Sequence, residues 1–246
     1  MKIGLIGTGS IGKTLARKLA QAGHSVKVAN KEGPRSIGSE VLEFGARATT
    51  VEDALKDIDV AITSVPLNAM RDLKDLIGAL PEHVVVVDTS NYYPGRDEHI
   101  AAIDDGQTES EWVSEQFGRP IVKAFNAIGA HSFSVNGKPK GHPERLAVPV
   151  AADQQQHRDV GIALVNDTGF DGYDAGTLAE SWRQQPAAPV YTTDLTHAEM
   201  GPALASAQRD RLAKRRDIMF EIVMERYGYN PPDVEWNKAI TRAVYM

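Results

Sequence analysis

The sequence predicts a doubly wound parallel α/β sheet, followed by a smaller C-terminal α/β lobe and a helical tail. Three observations carry that expectation. Short apolar runs alternate with amphipathic helical runs through residue 126, in the order β-α-β-α-β-α-β-α-β-α-β. Val84-Val85-Val86-Val87 has no polar face at all, as a central parallel strand covered on both sides requires. Gly7-Thr8-Gly9-Ser10-Ile11-Gly12 stands between the first strand and the first helix. Right-handed crossovers then gather every strand-end loop on one edge of the sheet.

Composition narrows the classes. A chain of 246 residues can bury a substantial core, and its net charge of −6 speaks against broad nucleic-acid binding. With no cysteine there is no disulfide framework, thiol nucleophile, thiolate zinc site or iron–sulfur cluster. No run approaches the roughly 18 apolar residues of a membrane span. The N-terminus begins directly on a strand and lacks the shape of a signal peptide. The expectation is a cytoplasmic protein with no membrane or nucleic-acid partner and no metal.

Residues 2–6 read as a buried strand and Ser10 to Ala22 as an amphipathic helix, stopped by Gly23. The glycines between them have separate uses. Gly7 permits the tight turn, Gly9 keeps side-chain bulk away from a pyrophosphate, and Gly12 allows close helix packing. The N–H groups opening the helix, with its positive dipole end, suit phosphate. Ser25 to Ala29 completes a βαβ unit in under 30 residues.

The loop after that second strand bears on the choice of nucleotide. It reads Asn30-Lys31-Glu32-Gly33-Pro34-Arg35-Ser36. Lys31 and Arg35 fit a 2′-phosphate and Ser36 one of its oxygens, which favours NADP. Glu32 is the alternative, as an NAD-type carboxylate for the ribose.

Further along, Ser36 to Gly45 reads as a helix, Ala46 to Thr50 as a strand and Val51 to Lys56 as a short helix. Asp59 to Ser64 is a buried strand whose exit, Ser64-Val65-Pro66, is either a floor for adenine or ribose or a plain turn with Pro66 opening the next helix. Residues 67–80 read as helical, and Pro81 ends the run. The valine strand leaves through Asp88-Thr89-Ser90-Asn91-Tyr92-Tyr93, a polar loop whose acid and hydroxyls either cap and shape the turn or, with Ser90 and Asn91, contact the nicotinamide ribose. Thr108 to Phe117 is a helix and Pro120 to Asn126 a strand, with Ala124 and Asn126 at its ligand end. Lys123 has two readings, a proton donor near nicotinamide or an anchor for the backbone. His131 lies on the loop beyond.

Asn136 to His142 is rich in turn formers and marks the expected boundary between a nucleotide-binding domain, 1–142, and a smaller lobe, 143–246. In that lobe Leu146 to Ala151 and Gly169 to Asp174 read as strands around a helix from Asp153 to Asn166. Gly176 to Arg183 reads as helical, and one long helix is expected from Ala198 to Tyr227. Its cluster Arg209, Arg211, Lys214, Arg215 and Arg216 reads as a solvated face. A last helix is expected within Pro231 to Met246.

These residues together resemble a known family. Ile6 to Gly12, Ala22-Gly23-His24, Gly33-Pro34, Val122-Lys123-Ala124-Phe125-Asn126, Gly169-Phe170-Asp171 and Asp174 to Leu178 are similar to the NADP oxidoreductases that use the deazaflavin coenzyme F420. The cytosolic oxidoreductase domain of the six-transmembrane metalloreductases, which uses an ordinary flavin, has a similar pattern. The likeness covers roughly residues 1–185. It implies a Rossmann fold, a homodimer through the C-terminal helices, and hydride transfer between NADP(H) and a deazaflavin or flavin stacked on the nicotinamide. It also implies that Thr8, Gly9, Ser10 and Ile11 hold the pyrophosphate, Asn30, Lys31 and Arg35 the 2′-phosphate, and that Val65, Pro66 and Ala124 lie along the cofactor. The family commonly has Ser-Arg where this chain has Asn30-Lys31. Lysine keeps the charge but lacks the bidentate fork.

Hydride transfer between two stacked rings needs orientation and little proton chemistry, so no catalytic side chain is assigned. Reduction of a small carbonyl or imine on the same scaffold would need a general acid, from Lys123, His131 or the Tyr92-Tyr93 pair. A third reading is a non-catalytic NADP sensor.

Overall fold

The computed structural model describes residues 1–228 and 234–245. Its main sheet has six parallel strands. In chain order they are β1 (Lys2–Ile6), β2 (Ser25–Ala29), β3 (Arg47–Ala48), β4 (Val60–Thr63), β5 (Val85–Asp88) and β6 (Val122–Lys123). In space they run β3-β2-β1-β4-β5-β6, so the winding reverses between β1 and β4. The expected doubly wound sheet is therefore present.

Alternation along the strands sorts their side chains into two layers. Val85 and Val87 join Ile3, Leu5 and Ile62 in one core, closed by α1 (Ser10–Gln21). Val84 and Val86 join Ile6 and Ala61 in the other. That second core is closed by α3 (Val51–Ala54), α4 (Met70–Gly78) and α7 (Glu109–Phe117). The four valines are shared between the two layers, which is why the run shows no polar face.

A second, two-stranded sheet pairs β7 (Ala147–Val150) in parallel with β8 (Asp171–Asp174), and α9 (Gln155–Asp167) crosses between them. This sheet is joined to the first. Lys123 and Ala151 exchange backbone hydrogen bonds of 2.8 and 3.0 Å in an antiparallel bridge. Val148 and Val150 lie in the same core as Val122 and Leu15, so that core passes across the boundary expected at residue 142. Trp182, Tyr191 and Met200 belong to a third cluster, with Met219 and Tyr245. It is built by a 3₁₀ helix (Leu178–Gln184), α10 (His197–Ala205), α11 (Arg209–Tyr227) and α12 (Val234–Tyr245).

Several elements depart from expectation. Between Ser36 and Gly45 only α2 (Ser39–Leu42) is α-helical, after a 3₁₀ turn at Pro34–Ser36. The helix expected over 198–227 is two, because Gln208 is extended (φ −118°, ψ 100°) and caps α11 afresh. The strand expected to Asn126 stops at Lys123, since Phe125 turns the chain with φ +61°. Small helices α5 (Pro94–Asp97) and α6 (Ala101–Asp104) follow the β5 exit, and α8 (Ala130–Val135) stands where a loop was expected around His131. The basic cluster is not wholly a solvated face: Arg216 is buried over the Tyr92 ring, and Arg209 donates to the Gly106 carbonyl. Of the last expected helix, 231–233 and Met246 lie outside the described residues. Among the described residues no helix is long and apolar enough to cross a membrane.

Candidate functional site

The loops leaving β1, β4, β5 and β6 meet at one edge, around the point where the winding reverses. That crevice is where doubly wound sheets take ligands. Gly7 has φ +108°, and a Cβ on it would sit 2.0 Å from the Ser64 carbonyl oxygen. One on Gly12 would sit 2.0 Å from the Gly7 carbonyl oxygen. The turn after β1, the exit of β4 and the first turn of α1 are thus pressed together with no room for side chains. Gly9 differs, because nothing of the protein lies within 4 Å of where its Cβ would be. With φ −66° it also has an ordinary backbone, so neither packing nor backbone geometry calls for a glycine there.

α1 opens with Gly9 as N-cap, without a side-chain cap and without an acidic residue in its first turn. The first N–H groups of a helix have no partner within it, and the dipole makes that end positive. The edge therefore offers an anion site where the motif expects a pyrophosphate, with Thr8, Ser10 and Ile11 around it.

The loop after β2 is braced against this turn. The Asn30 amide donates to Thr8 Oγ1 at 3.1 Å and lies 2.9 Å from Ser36 Oγ. Ser36 Oγ donates to the Gly33 carbonyl at 2.7 Å, and the Glu32 N–H donates to Asn30 Oδ1 at 3.0 Å. Asn30 and Ser36, expected at the 2′-phosphate, direct these polar atoms to shaping the loop. Lys31 and Arg35 are exposed beside it, and neither forms an ion pair with a described residue. Two unpaired cations at the rim of the crevice fit a phosphate dianion. Glu32, the NAD-type alternative, is exposed on the same loop.

Along the floor, Ser64 and Val65 are half-buried and Pro66 is exposed. Ser64 Oγ accepts from Thr89 Oγ1 at 3.1 Å, tying the exits of β4 and β5 together. Beneath the β5 exit, Lys123 Nζ donates to Asp88 Oδ2 at 2.6 Å and to the Ser90 carbonyl at 2.7 Å. Ser90 in turn donates its N–H and hydroxyl to Asp88 at 3.0 Å each. Lys123 is thus the anchor, and the proton-donor alternative is set aside. Ser90 is buried with its hydroxyl engaged.

At the far end Asn91 Nδ2 donates to the Asn126 carbonyl at 3.0 Å, and Asn126 Nδ2 donates to the Gln184 carbonyl at 2.8 Å. Gln184 Nε2 returns to Asn126 Oδ1 at 3.0 Å. Ala124 is fully buried just before this lattice. Gln184 and Phe125 were not anticipated. Gln184 lies 58 residues from its partner, and Phe125 carries no sequence sign of its left-handed backbone.

Of the general-acid candidates, both tyrosines are engaged by other groups. Tyr92 is buried, donates to Asp104 Oδ1 at 2.8 Å and accepts from the Ile100 N–H, and burial pushes its phenol up to about 12. Tyr93 shares a 2.8 Å hydrogen bond with the Tyr191 hydroxyl, and burial raises both phenols. His131 is exposed on α8.

Sheet order and crevice are those of the doubly wound, Rossmann-like α/β fold. Residues 2–92 match the family described as NADP oxidoreductase, coenzyme F420-dependent, so the likeness read from the sequence is met over that stretch. Protein YjhV of Escherichia coli is 47% identical over 74 residues, 30% of this chain and 54% of that protein. The rat metalloreductase STEAP3 is 27% identical over 190 residues, 77% of this chain and 36% of that protein. The chain thus spans about half of the first and about a third of the second. The crystal structure of protein SMa0349 from Sinorhizobium meliloti, of no stated function, superposes with a TM-score of 0.67 at 28% identity, over 80% of this chain and 95% of that one.

Proposed function

We propose that this protein is an NADP(H)-dependent oxidoreductase that passes a hydride between the nicotinamide and a deazaflavin or flavin acceptor. The observation that carries the reading is the open space at Gly9, at the uncapped start of α1, with exposed Lys31 and Arg35 on the adjoining loop. NADPH supplies a hydride, which leaves with its electron pair, and a proton from water completes a reduced flavin-type ring. The N–H groups of α1 hold the pyrophosphate, Lys31 and Arg35 select the 2′-phosphate, and Ser64, Val65 and Pro66 line the floor. Asn91 and Asn126, locked to each other and to Gln184, shape the nicotinamide end of the crevice. Orientation of two rings accounts for such a reaction without an acid–base side chain. The match of residues 2–92 to a coenzyme F420-dependent family supports a deazaflavin, and the metalloreductase likeness supports a flavin.

Small-carbonyl or imine reduction is disfavoured by the engagement of Lys123, Tyr92 and Tyr93. The same reading takes the chain as a cytoplasmic homodimer formed through its C-terminal helices, where Ile218 is exposed. Sedimentation tests the dimer. The test of function is anaerobic oxidation of NADPH with the deazaflavin coenzyme, FMN and FAD side by side. Turnover with one or more is expected. Tight NADPH binding with no oxidation by any of them would point to a sensor instead.

A further inference from the structure

Arg216, on α11, has more hydrogen-bonding capacity than the fold uses. It is 9% exposed, its guanidinium lies 5.1 Å from the centre of the Tyr92 ring, and its Nε–H donates to Asp217 Oδ1 at 2.8 Å. The two terminal nitrogens have no hydrogen-bond or ion-pair partner among the described residues. A buried cation with open donors is costly, and the planar fork of a guanidinium matches the paired oxygens of a carboxylate.

Arg216 lines two cavities. The larger, about 540 Å³ between α5, α6 and α11, also carries Asp104, Asp217 and Glu221, an acidic rim that repels anions. The smaller, about 210 Å³, lies between α6, the start of α7, the end of the 3₁₀ helix and α11. Its charged lining is Arg209, Arg216, Asp104 and Glu109. Asp104 is already engaged by the Tyr92 hydroxyl at 2.8 Å and the His99 ring at 2.9 Å. Burial pushes the Glu109 carboxyl up to about 7, so below that pH it is neutral, and its Oε2 is buried without a hydrogen-bond partner. With Glu109 neutral, two cations face one acid, and the smaller cavity attracts an anion. The rest of its wall is apolar, with Ile103, Trp182 and Leu212 all buried. Its volume lies below the roughly 300–1,000 Å³ of ordinary ligand pockets, which suits a single ring or a short chain. Neither the glycine turn nor the Asn30–Ser36 loop lines it.

We infer that the smaller cavity is a binding site for a small organic monocarboxylate, its two oxygens on the terminal nitrogens of Arg216 and its apolar body against Ile103, Trp182 and Leu212. The neutral Glu109 carboxyl offers its proton to one of those oxygens, which lets an acid and an anion share the space. An inorganic oxyanion would fill the fork and leave the apolar wall empty. An amide of the same shape would fill the wall and leave the guanidinium without a counter-charge. The site stands apart from the nucleotide reading and does not depend on it.

The test titrates the full chain near pH 6 with benzoate, benzamide and inorganic phosphate, following heat and tryptophan fluorescence in a carboxylate-free buffer. Benzoate is expected to bind roughly tenfold or more tighter than either of the others. Arg216→Lys keeps the charge but loses the fork, and should weaken benzoate by about tenfold. Ala213→Leu adds bulk at an exposed position of the same wall, leaves the guanidinium in place and should also weaken benzoate. Thermal melts followed by circular dichroism show which variants are folded. Benzoate binding that is absent from wild type, matched by benzamide, or unchanged in a folded Arg216→Lys overturns the inference. Should Arg216→Lys fail to fold, unchanged binding in Ala213→Leu overturns it instead. Phosphate bound as tightly as benzoate overturns the assignment to an organic acid.

Discussion

Lys123 and Asp88 form an ion pair of 2.6 Å with both side chains fully buried, and the Ser90 carbonyl takes a second proton of the ammonium. The pair fixes where β5 and β6 release their loops, and so where Asn91 and Asn126 stand. Removing one partner leaves an uncompensated buried charge, which costs about 3–5 kcal/mol. Lys123→Met should lower unfolding stability by that order in urea, whereas Lys123→Met with Asp88→Asn should recover part of it. Equal losses in the single and double variants would show that the charges are not coupled.

The three glycines of the turn should separate folding from binding. Gly7→Ala places a Cβ against the Ser64 carbonyl in a left-handed backbone, and a cost of about 2 kcal/mol or more is expected. Gly9→Ala meets no protein atom, so its melting temperature should stay near that of wild type while NADPH affinity falls. Calorimetric titration beside a thermal melt reads both. Unchanged affinity in Gly9→Ala would remove the pyrophosphate from this turn.

Lys31→Ala and Arg35→Ala should each weaken NADPH binding by about 1.5–3 kcal/mol and leave NADH nearly untouched. Both side chains are exposed, so the preference should shrink as salt is added. Paired titrations with the two nucleotides at low and high salt are the check. A preference that survives both substitutions places the 2′-phosphate elsewhere.

Glu109 carries a pH signature. Burial pushes its carboxyl from 4.5 up to about 7, against the opposing pull of Lys123, the Gln185 side chain and the Tyr92 N–H. For a carboxyl raised in the folded state, stability is fully present below about pH 4.5. It is lost as pH rises toward 7, because the unfolded chain ionises first. The shift corresponds to about 3 kcal/mol. Glu109→Gln should therefore be more stable than wild type at pH 8 and flatten the slope between pH 4.5 and 7 in denaturant titrations. A variant less stable than wild type at pH 8 would contradict this.

The main sheet was legible because its signals are local. The valine run and the glycine turn each state their environment within a few residues, and Gly7 and Gly12 are packed as tightly as the spacing suggests. Lys31 and Arg35 are exposed on the loop after β2. Asn30 and Ser36 were read as ligand contacts because sequence shows polar atoms without showing their partners. The same limit hid Glu109, which reads as an ordinary first-turn acid of α7 until burial is known. Tyr93 meets Tyr191 across 98 residues, and no local pattern announces that pairing. Phe125 ends β6 by its backbone angle alone, and the break at Gln208 lies in a run of otherwise good helix formers.

Ala151 hydrogen-bonds the backbone of the lysine whose ammonium is pinned to Asp88. One ribbon of hydrogen bonds therefore runs from the nucleotide crevice into the second lobe, and a shared core lies along it. Such a joint gives no axis for a clamshell. The two lobes therefore form one body, and the crevice edge is fixed to the second lobe through the backbone of Lys123.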